Sequence, residues 1–213
     1  AACVAVGIVH IARQRQMEAP LLPIDLLRIP VFRLSMATSV CAFAAQTMAY
    51  VTLPFLFLDA WHRTPGQAGT LIASWPIGVI AAATVVGRLI GRFPDGLLGA
   101  IGLGTLATGL ALMALAAGGS PGEGTWWRLA ICGVGFGLFQ SPNNHTIITS
   151  APHDRAGAAS GMLGTARLTG QSIGAALLAA VFALTSAHDA RGAEIALGLS
   201  AALAAFAAVF SGK

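Results

Sequence analysis

The chain has 213 residues, of which 56% are hydrophobic and only 9% are charged, with a net charge of +4. Soluble domains carry roughly 25% charged residues, so this composition indicates a chain that lies in a lipid bilayer. Long apolar runs between short polar segments are typical of transmembrane helices rather than barrel strands. The basic residues do not cluster on one soluble face, so nucleic acid is not an expected partner. Cys3, Cys41 and Cys132 lie in apolar runs without ligand spacing, and we expect neither a metal site nor a disulfide.

The chain opens with an apolar run, residues 1–12, that is too short to cross a bilayer. It has no basic leader and no cleavage site, so it is interpreted as the end of a truncated transmembrane helix. Residues 13–33 form a basic, Pro-interrupted linker, expected in the cytoplasm, and residues 34–213 form the main domain. This domain is predicted to contain six spans joined by short turns, at 34–58, 67–90, 97–118, 128–150, 158–186 and 194–211.

The positions of Lys and Arg predict the orientation of the spans. Eight lie on one side, three on the other, and the last, Arg167, lies inside a span. The larger group is predicted to be cytoplasmic, which puts the C-terminus inside and Trp61, Trp126 and Trp127 at the outer interface. The eight are Arg13, Arg15, Arg28, Arg33, Arg88, Arg92, Arg155 and Lys213, and the three are Arg63, Arg128 and Arg191.

The stretch "GRLIGRFPDG", residues 87–96, connects the second and third predicted spans. Gly87 and Gly91 would allow close approach of helices, and Arg88 and Arg92 would lie one helical turn apart at the membrane edge. The two arginines are expected either to pair with a carboxylate or a helix C-terminus, or to serve as ordinary positive-inside anchors.

The fifth predicted span contains two pairs of glycines four residues apart, Gly157 with Gly161 and Gly170 with Gly174. This spacing predicts close helix packing, or an interface along which one helix slides. Arg167 lies between the pairs, about nine residues into the span and therefore ~14 Å deep. A charge at that depth is costly without a partner or water, so Arg167 is interpreted as functional or as tied to helix-end carbonyls.

The fourth predicted span carries a run of polar residues around Pro142. Phe136, Gln140 and Asn143 share one helical stripe, with Asn144 beside it. Lipid cannot satisfy such groups, so the stripe must face other helices or water. Pro142 is expected to break or kink the helix. We favour a cavity lining over interhelical hydrogen bonds that merely hold the bundle together.

The first predicted span offers a matching face, with Phe43, Gln46 and Tyr50 at spacings of three and four residues. Aromatic and amide groups suit a lining for varied apolar or cationic guests, and core packing is the alternative. His145 and His153 could relay protons, although a lone His more often binds a helix-end carbonyl.

Taken together, these motifs are similar to those of a known family of membrane proteins. Six spans after a basic linker, "GRLIGR" between the second and third, "GVGFGLFQSPNN" in the fourth and "GAASGMLGTARLTGQSIGAA" in the fifth resemble the C-terminal half of a major facilitator superfamily transporter. The branch most similar is that of the fourteen-span drug:proton antiporters of the EmrB/QacA type. The implied fold is an all-α, polytopic membrane protein: a six-helix C-terminal domain of two three-helix inverted repeats, after the end of a preceding span.

The resemblance also implies roles for individual residues. The first and fourth helices of each half line the central cavity in that superfamily, which gives Phe43, Gln46 and Tyr50 to the cavity. The family's loop motif falls on Gly87, Leu89 and Arg92, and this sequence has Gly91 where the family has Asp. The fourth span contributes Phe136, Gln140, Asn143 and Asn144 to the same cavity.

The resemblance implies proton-coupled efflux of lipophilic or cationic drugs by alternating access, in the bacterial cytoplasmic membrane. The expected partners are a small-molecule substrate, the lipid bilayer and a missing N-terminal half that supplies the proton-coupling carboxylate. No cofactor is expected, because a proton gradient supplies the energy. A transporter of another solute, or a non-transporting sensor, remains open. An enzyme is not expected, and a retinal receptor is excluded because the only Lys, Lys213, is terminal.

Overall fold

The computed structural model describes residues 24–119, 124–185 and 190–212. The predicted truncated helix at 1–12 lies outside the described residues, as does the linker as far as residue 23. Six long helices follow one another along the described chain. They are α1 (Pro30–Phe55), α2 (Pro65–Leu89), α3 (Asp95–Ala117), α4 (Thr125–Thr149), α5 (Ala156–Leu184) and α6 (Ala190–Ser211).

Local sequence explains where the first helices begin. α1 starts with Pro30 at its first positions, which suits the fixed φ of Pro and its missing N–H, so residues 30–33 are helical and not linker. A π-helical turn, Leu56–Ala60, extends α1 past Pro54, which therefore does not end the helix. α2 begins with a capping box, in which Thr64 and Gln67 each accept a hydrogen bond from the other's backbone N–H.

The remaining part of the linker is docked on the bundle. Residues Ile24–Arg28 form a 3-10 helix before α1. Leu26 is buried in a cluster with Ile147 of α4 and Ala159 of α5. An Arg155 nitrogen lies 3.2 Å from an Asp25 oxygen. These contacts fix the start of α1 against the end of α4 and the start of α5.

The helices pack in a pattern that repeats. α1 packs on α5 and α6, while α4 packs on α2 and α3. α3 also packs on α6, and α1 meets α4. Exchanging the first three helices with the last three leaves this set of pairs unchanged, which is the relationship expected of two three-helix repeats. The fold is all-α and polytopic.

Five of the six described helices are long and apolar enough to cross a membrane. α4 does not reach that hydropathy, because polar residues from Gln140 to His145 occupy its last turns. It nevertheless runs about the same length as its neighbours, with Pro142 buried inside it, so of the expected break or kink at Pro142 the break is wrong. A helix of this composition needs protein around it, which α2, α3 and α1 supply.

The two ends of the bundle differ in the residues found there. Ser211, at the end of α6, donates a hydrogen bond to Gly96 at the start of α3, so these helix ends meet. At the other end Trp126 is 60% exposed, as an interfacial ring should be. Trp61 is not: its ring is buried and stacks on Phe57 at 5.4 Å, so it belongs to the core.

Candidate functional site

An aromatic pair marks the place where α1 and α4 meet. The rings of Phe43 on α1 and Phe136 on α4 pack edge to face, with their centroids 5.5 Å apart. Phe136 also contacts Phe139, at 6.2 Å. Both Phe43 and Phe136 are buried, so they are not a surface open to a ligand. We call this buried pair the aromatic floor. Edge-to-face rings are a favourable geometry that holds the two helices in register.

Polar side chains follow Phe43 and Phe136 along the same two helices. Gln46 on α1 and Gln140 and Asn144 on α4 are each half-buried. No hydrogen bond joins these three amides to another residue of the described ranges, so their donors and acceptors are available to a guest or to water. Tyr50, also half-buried, lies against Trp75 of α2 with ring centroids 4.8 Å apart. We call Gln46, Tyr50, Gln140 and Asn144 the amide face.

Asn143 has a different environment from its neighbours. Its side chain is only 7% exposed, and its Nδ2 donates a 2.7 Å hydrogen bond to Oγ of Ser39 on α1. The bond links the two repeats across the α1–α4 contact. Asn143 therefore makes an interhelical hydrogen bond and is not part of the amide face.

Arg167 of α5 lies beside the aromatic pair. Its guanidinium carbon is 5.2 Å from the centroid of the Phe43 ring, a cation–π contact. The side chain is exposed, and no carboxylate of the described residues lies within ion-pair distance of it. The structure thus brings Arg167, Phe43 and Phe136 together from three helices.

A cleft opens where α1, α3, α4 and α6 meet. Its volume is about 460 Å³, and Asp95, Asn143 and Thr146 line it, together with Ser35 and Thr38. Nδ1 of His145 lies 2.5 Å from Oδ2 of Asp95, to which Thr146 also donates at 3.2 Å. His145 therefore pairs with a carboxylate, whereas His153 is exposed. No cluster of three or more metal-ligating side chains occurs in the described ranges.

The loop between α2 and α3 differs from its predicted form. α2 ends at Leu89, and Gly91 has φ +84°, a left-handed conformation that favours glycine. Arg88 and Arg92 are consequently not one turn apart on a helix, which corrects the prediction. Neither Gly87 nor Gly91 has another residue within 4 Å of where a Cβ would stand, so no described helix approaches them. Both arginines are exposed.

The two glycine pairs of α5 have different surroundings. Gly170 and Gly174 lie against the α1 backbone; a Cβ on Gly170 would stand 2.5 Å from the Val40 carbonyl oxygen. Gly157 and Gly161 are exposed, with no described atom within 4 Å of a Cβ position. Only the second pair therefore packs on another helix of the described chain.

Sequence reasoning missed two features of this region. Gly133 and Gly137 of α4 lie directly against the α2 backbone at Trp75 and Val79, and Gly135 lies against α3. The alternation of glycine in "GVGFG" was the available signal, because positions two apart lie on different faces of a helix. The pairing of Asp95 with His145 joins residues 50 apart, and no local pattern predicts it.

Comparison with known proteins decides the family. A family profile described as "Major Facilitator Superfamily" matches residues 9–175, most of the chain. The chain belongs to the Major Facilitator Superfamily. This membership agrees with the resemblance found in the sequence and with the repeated packing of the Major Facilitator helices described above.

The similar proteins include one named as a transporter and two named for drug resistance. "Uncharacterized transporter YebQ" of Escherichia coli (strain K12) is 50% identical over 98% of this Major Facilitator chain and 45% of its own length. "Tetracycline resistance determinant" of Streptomyces rimosus is 32% identical over 78% of this chain and 48% of its own. "Multidrug resistance protein Stp" of Mycobacterium tuberculosis is 30% identical over 80% and 32%, respectively. The chain therefore spans less than half the length of these relatives.

Proposed function

We propose that this chain is the C-terminal half of a membrane transporter that exports lipophilic aromatic drugs in exchange for protons. An upstream six-helix half completes the cavity, and the protein needs no cofactor, since the proton gradient supplies the energy. It works as a transporter and not as an enzyme. The setting is the bacterial cytoplasmic membrane, with the C-terminus in the cytoplasm.

The observation that carries the proposal is the amide face. Gln46 and Gln140 lie on α1 and α4, the first helix of each repeat, and are half-buried without a partner in the described chain. Burying an amide without a hydrogen bond costs free energy, so such groups persist where a guest or water satisfies them. Tyr50, which is half-buried, supplies aromatic surface beside these amides, and such surface suits aromatic cargo.

The geometry also bears on the charge of the cargo. The sequence-based expectation included cationic drugs, for which a carboxylate near the site is the natural counter-charge. The described carboxylates occur at or near helix ends, as in Asp95 and Glu194. The charged group nearest the aromatic pair is instead the cation Arg167. Lipophilicity, and not positive charge, is therefore the property that this half of the cavity recognises.

The repeats supply a route to alternating access. α1 and α4 are held together by the Asn143–Ser39 hydrogen bond and the Phe43–Phe136 contact, which makes this half one body. Rocking such a body against the upstream half would expose the amide face first to one side of the membrane and then to the other. Arg28, Arg33, Arg88, Arg92 and Arg155 belong to the end proposed as cytoplasmic, in line with the positive-inside rule.

The test uses everted membrane vesicles containing the full-length protein, energised to an acid interior and monitored with a pH-sensitive dye. Aromatic drugs of positive, neutral and negative charge are added in turn. We expect at least one class to dissipate the gradient, and Gln140→Ala to reduce the initial rate by about tenfold, as loss of a buried recognition group does. Thr108→Ala, on α3, is the matched control because Thr108 is exposed and its hydroxyl donates only to the carbonyl of Gly104 in its own helix.

A folded, inserted protein that responds to no drug of any charge would contradict drug efflux. If the Gln140→Ala variant responds at the wild-type rate, drug export would stand, but the amide face would not be the binding site.

A further inference from the structure

Arg167 occupies an exceptional position among the charged residues. It is the one charged side chain of the six described helices that lies more than five residues from a helix end. It follows the start of α5 by eleven residues, or ~17 Å at about 1.5 Å per residue. Phe43 lies ~20 Å from the start of α1 on the same measure, so the two are at a similar depth.

Packing between α5 and α1 fixes where the Arg167 side chain lies. Gly170, one turn further along α5, is so close to α1 that its Cβ would stand 3.0 Å from Cβ of Phe43. This close approach holds the Arg167 guanidinium over the Phe43 ring, which in turn contacts Phe136. Gln171 follows Arg167 by four residues on the same face of α5 and is half-buried. The guanidinium thus borders the aromatic floor of the amide face.

The charge of Arg167 has no counter-ion in the described chain. Asp95, which contacts His145, and Asp25, which pairs with Arg155, both lie at the helix ends. A cation–π contact to Phe43 attracts one face of the guanidinium and leaves its five N–H donors without acceptors. A guanidinium at membrane depth is stable when an anion accepts those hydrogen bonds.

We propose that Arg167 is a specificity-determining residue that binds an acidic oxygen of the cargo. This inference rests on the proposed function and narrows its substrate class to aromatic compounds that carry a carboxylate, phenolate or enolate. The planar fork of the guanidinium donates two parallel hydrogen bonds to such an anion. The aromatic body of the cargo then lies on the amide face, where Gln46 and Gln140 supply further hydrogen bonds. A permanent cation is repelled by the same residue.

The test compares two dyes with the same xanthene scaffold and opposite charge. Fluorescein is an anion at mildly alkaline pH, and tetramethylrhodamine methyl ester is a cation. Binding of each to the purified full-length protein is measured by fluorescence anisotropy, and uptake into everted vesicles is measured separately. We expect the wild-type protein to bind fluorescein more tightly. Arg167→Gln should weaken fluorescein binding by about tenfold or more and leave the cationic dye unchanged or bound more tightly, and Arg167→Lys should retain part of the anion preference.

Arg128→Gln is the matched control, because Arg128 also makes a cation–π contact at 5.2 Å, with Trp127, but lies near the other end of the bundle. It should leave the binding of both dyes unchanged. Equal losses for both dyes in Arg167→Gln would overturn the proposal and indicate that Arg167 pairs with a carboxylate of the upstream half. A wild-type preference for the cation would overturn it as well, while leaving drug export intact. Failure of drug export itself shows separately, as the absence of uptake of either dye.

Discussion

Asn143 and Gln140 lie one turn apart on α4, yet the structure gives them different surroundings. Asn143 is buried and donates to Ser39, whereas Gln140 is half-buried with no partner in the described chain. Neighbouring amides on one helix thus divide between holding the bundle together and facing its open side. Three residues turn a helix by about 300°, so the two side chains point about 60° apart, and Asn143 is the one that reaches Ser39 of α1.

A double-mutant cycle on Ser39 and Asn143 tests the structural role. We expect Asn143→Ala and Ser39→Ala each to destabilise the purified full-length protein, with a coupling energy of about 0.6 kcal/mol, typical of hydrogen bonds between transmembrane helices. The measurement is the free energy of unfolding in mixed detergent micelles, for the two single variants and the double variant. Additive losses, with no coupling, would mean that the hydrogen bond does not join the helices in the membrane.

At the scale of elements, α4 is the helix on which the packing depends. It contacts α2 through Gly133 and Gly137 and α3 through Gly135, while α1 and α5 meet through Gly170 and Gly174. Close approach at glycine therefore holds both of the equivalent helix pairs, α4 with α2 and α1 with α5, that join the two repeats. Glycine allows backbones to approach closely, and in a membrane this close packing replaces the hydrophobic force that drives association in water.

Gly133→Ala should destabilise the protein by about 1–3 kcal/mol, the range for overpacking of a close interface. The new methyl group would meet the Trp75 carbonyl oxygen, which belongs to the backbone and cannot move aside. Gly104→Ala is the matched control, since no other residue lies within 4 Å of its Cβ position on α3. The check is the thermal unfolding temperature of both purified variants, which should fall for Gly133→Ala alone. An equal shift in the two variants would show that helix propensity, and not the close contact, determines the change in unfolding temperature.

The sequence predicted the number and approximate bounds of the helices, because apolar runs of membrane length are a strong local signal. It also predicted that Phe43 and Phe136 belong to one region, which the edge-to-face contact supports. It did not distinguish the surroundings of Asn143 from those of Gln140. Helical periodicity shows which residues share a face, but it does not show which helix that face contacts. The sequence left open whether the helix breaks or only kinks at Pro142, because the surrounding helices help to decide whether the helix continues.

At the scale of the whole molecule, the helices differ in how much of their surface the chain covers. In the most apolar stretch of α1, 56% of residues are buried, against 22% for both α2 and α5. α2 packs chiefly on α4, and α5 chiefly on α1, so each has a large uncovered face. On α5 this face includes the small residues Gly157 and Gly161, which suit the close approach of another helix.

We therefore expect the uncovered face of α5 to contact the upstream half of the full-length protein and not lipid. Ala175 is exposed and lies on the same face as Gly161, fourteen residues or about four turns along α5. In a background without native cysteines, a nitroxide at Ala175→Cys should show lower accessibility to molecular oxygen, which concentrates in lipid, than one at Thr108→Cys on α3. Equal accessibility at the two positions would place α5 against lipid, and the cavity would then have to close by another pair of helices. Lower accessibility at Ala175 would place Arg167, on the same helix, close to the boundary between the halves, where a cargo anion has to pass.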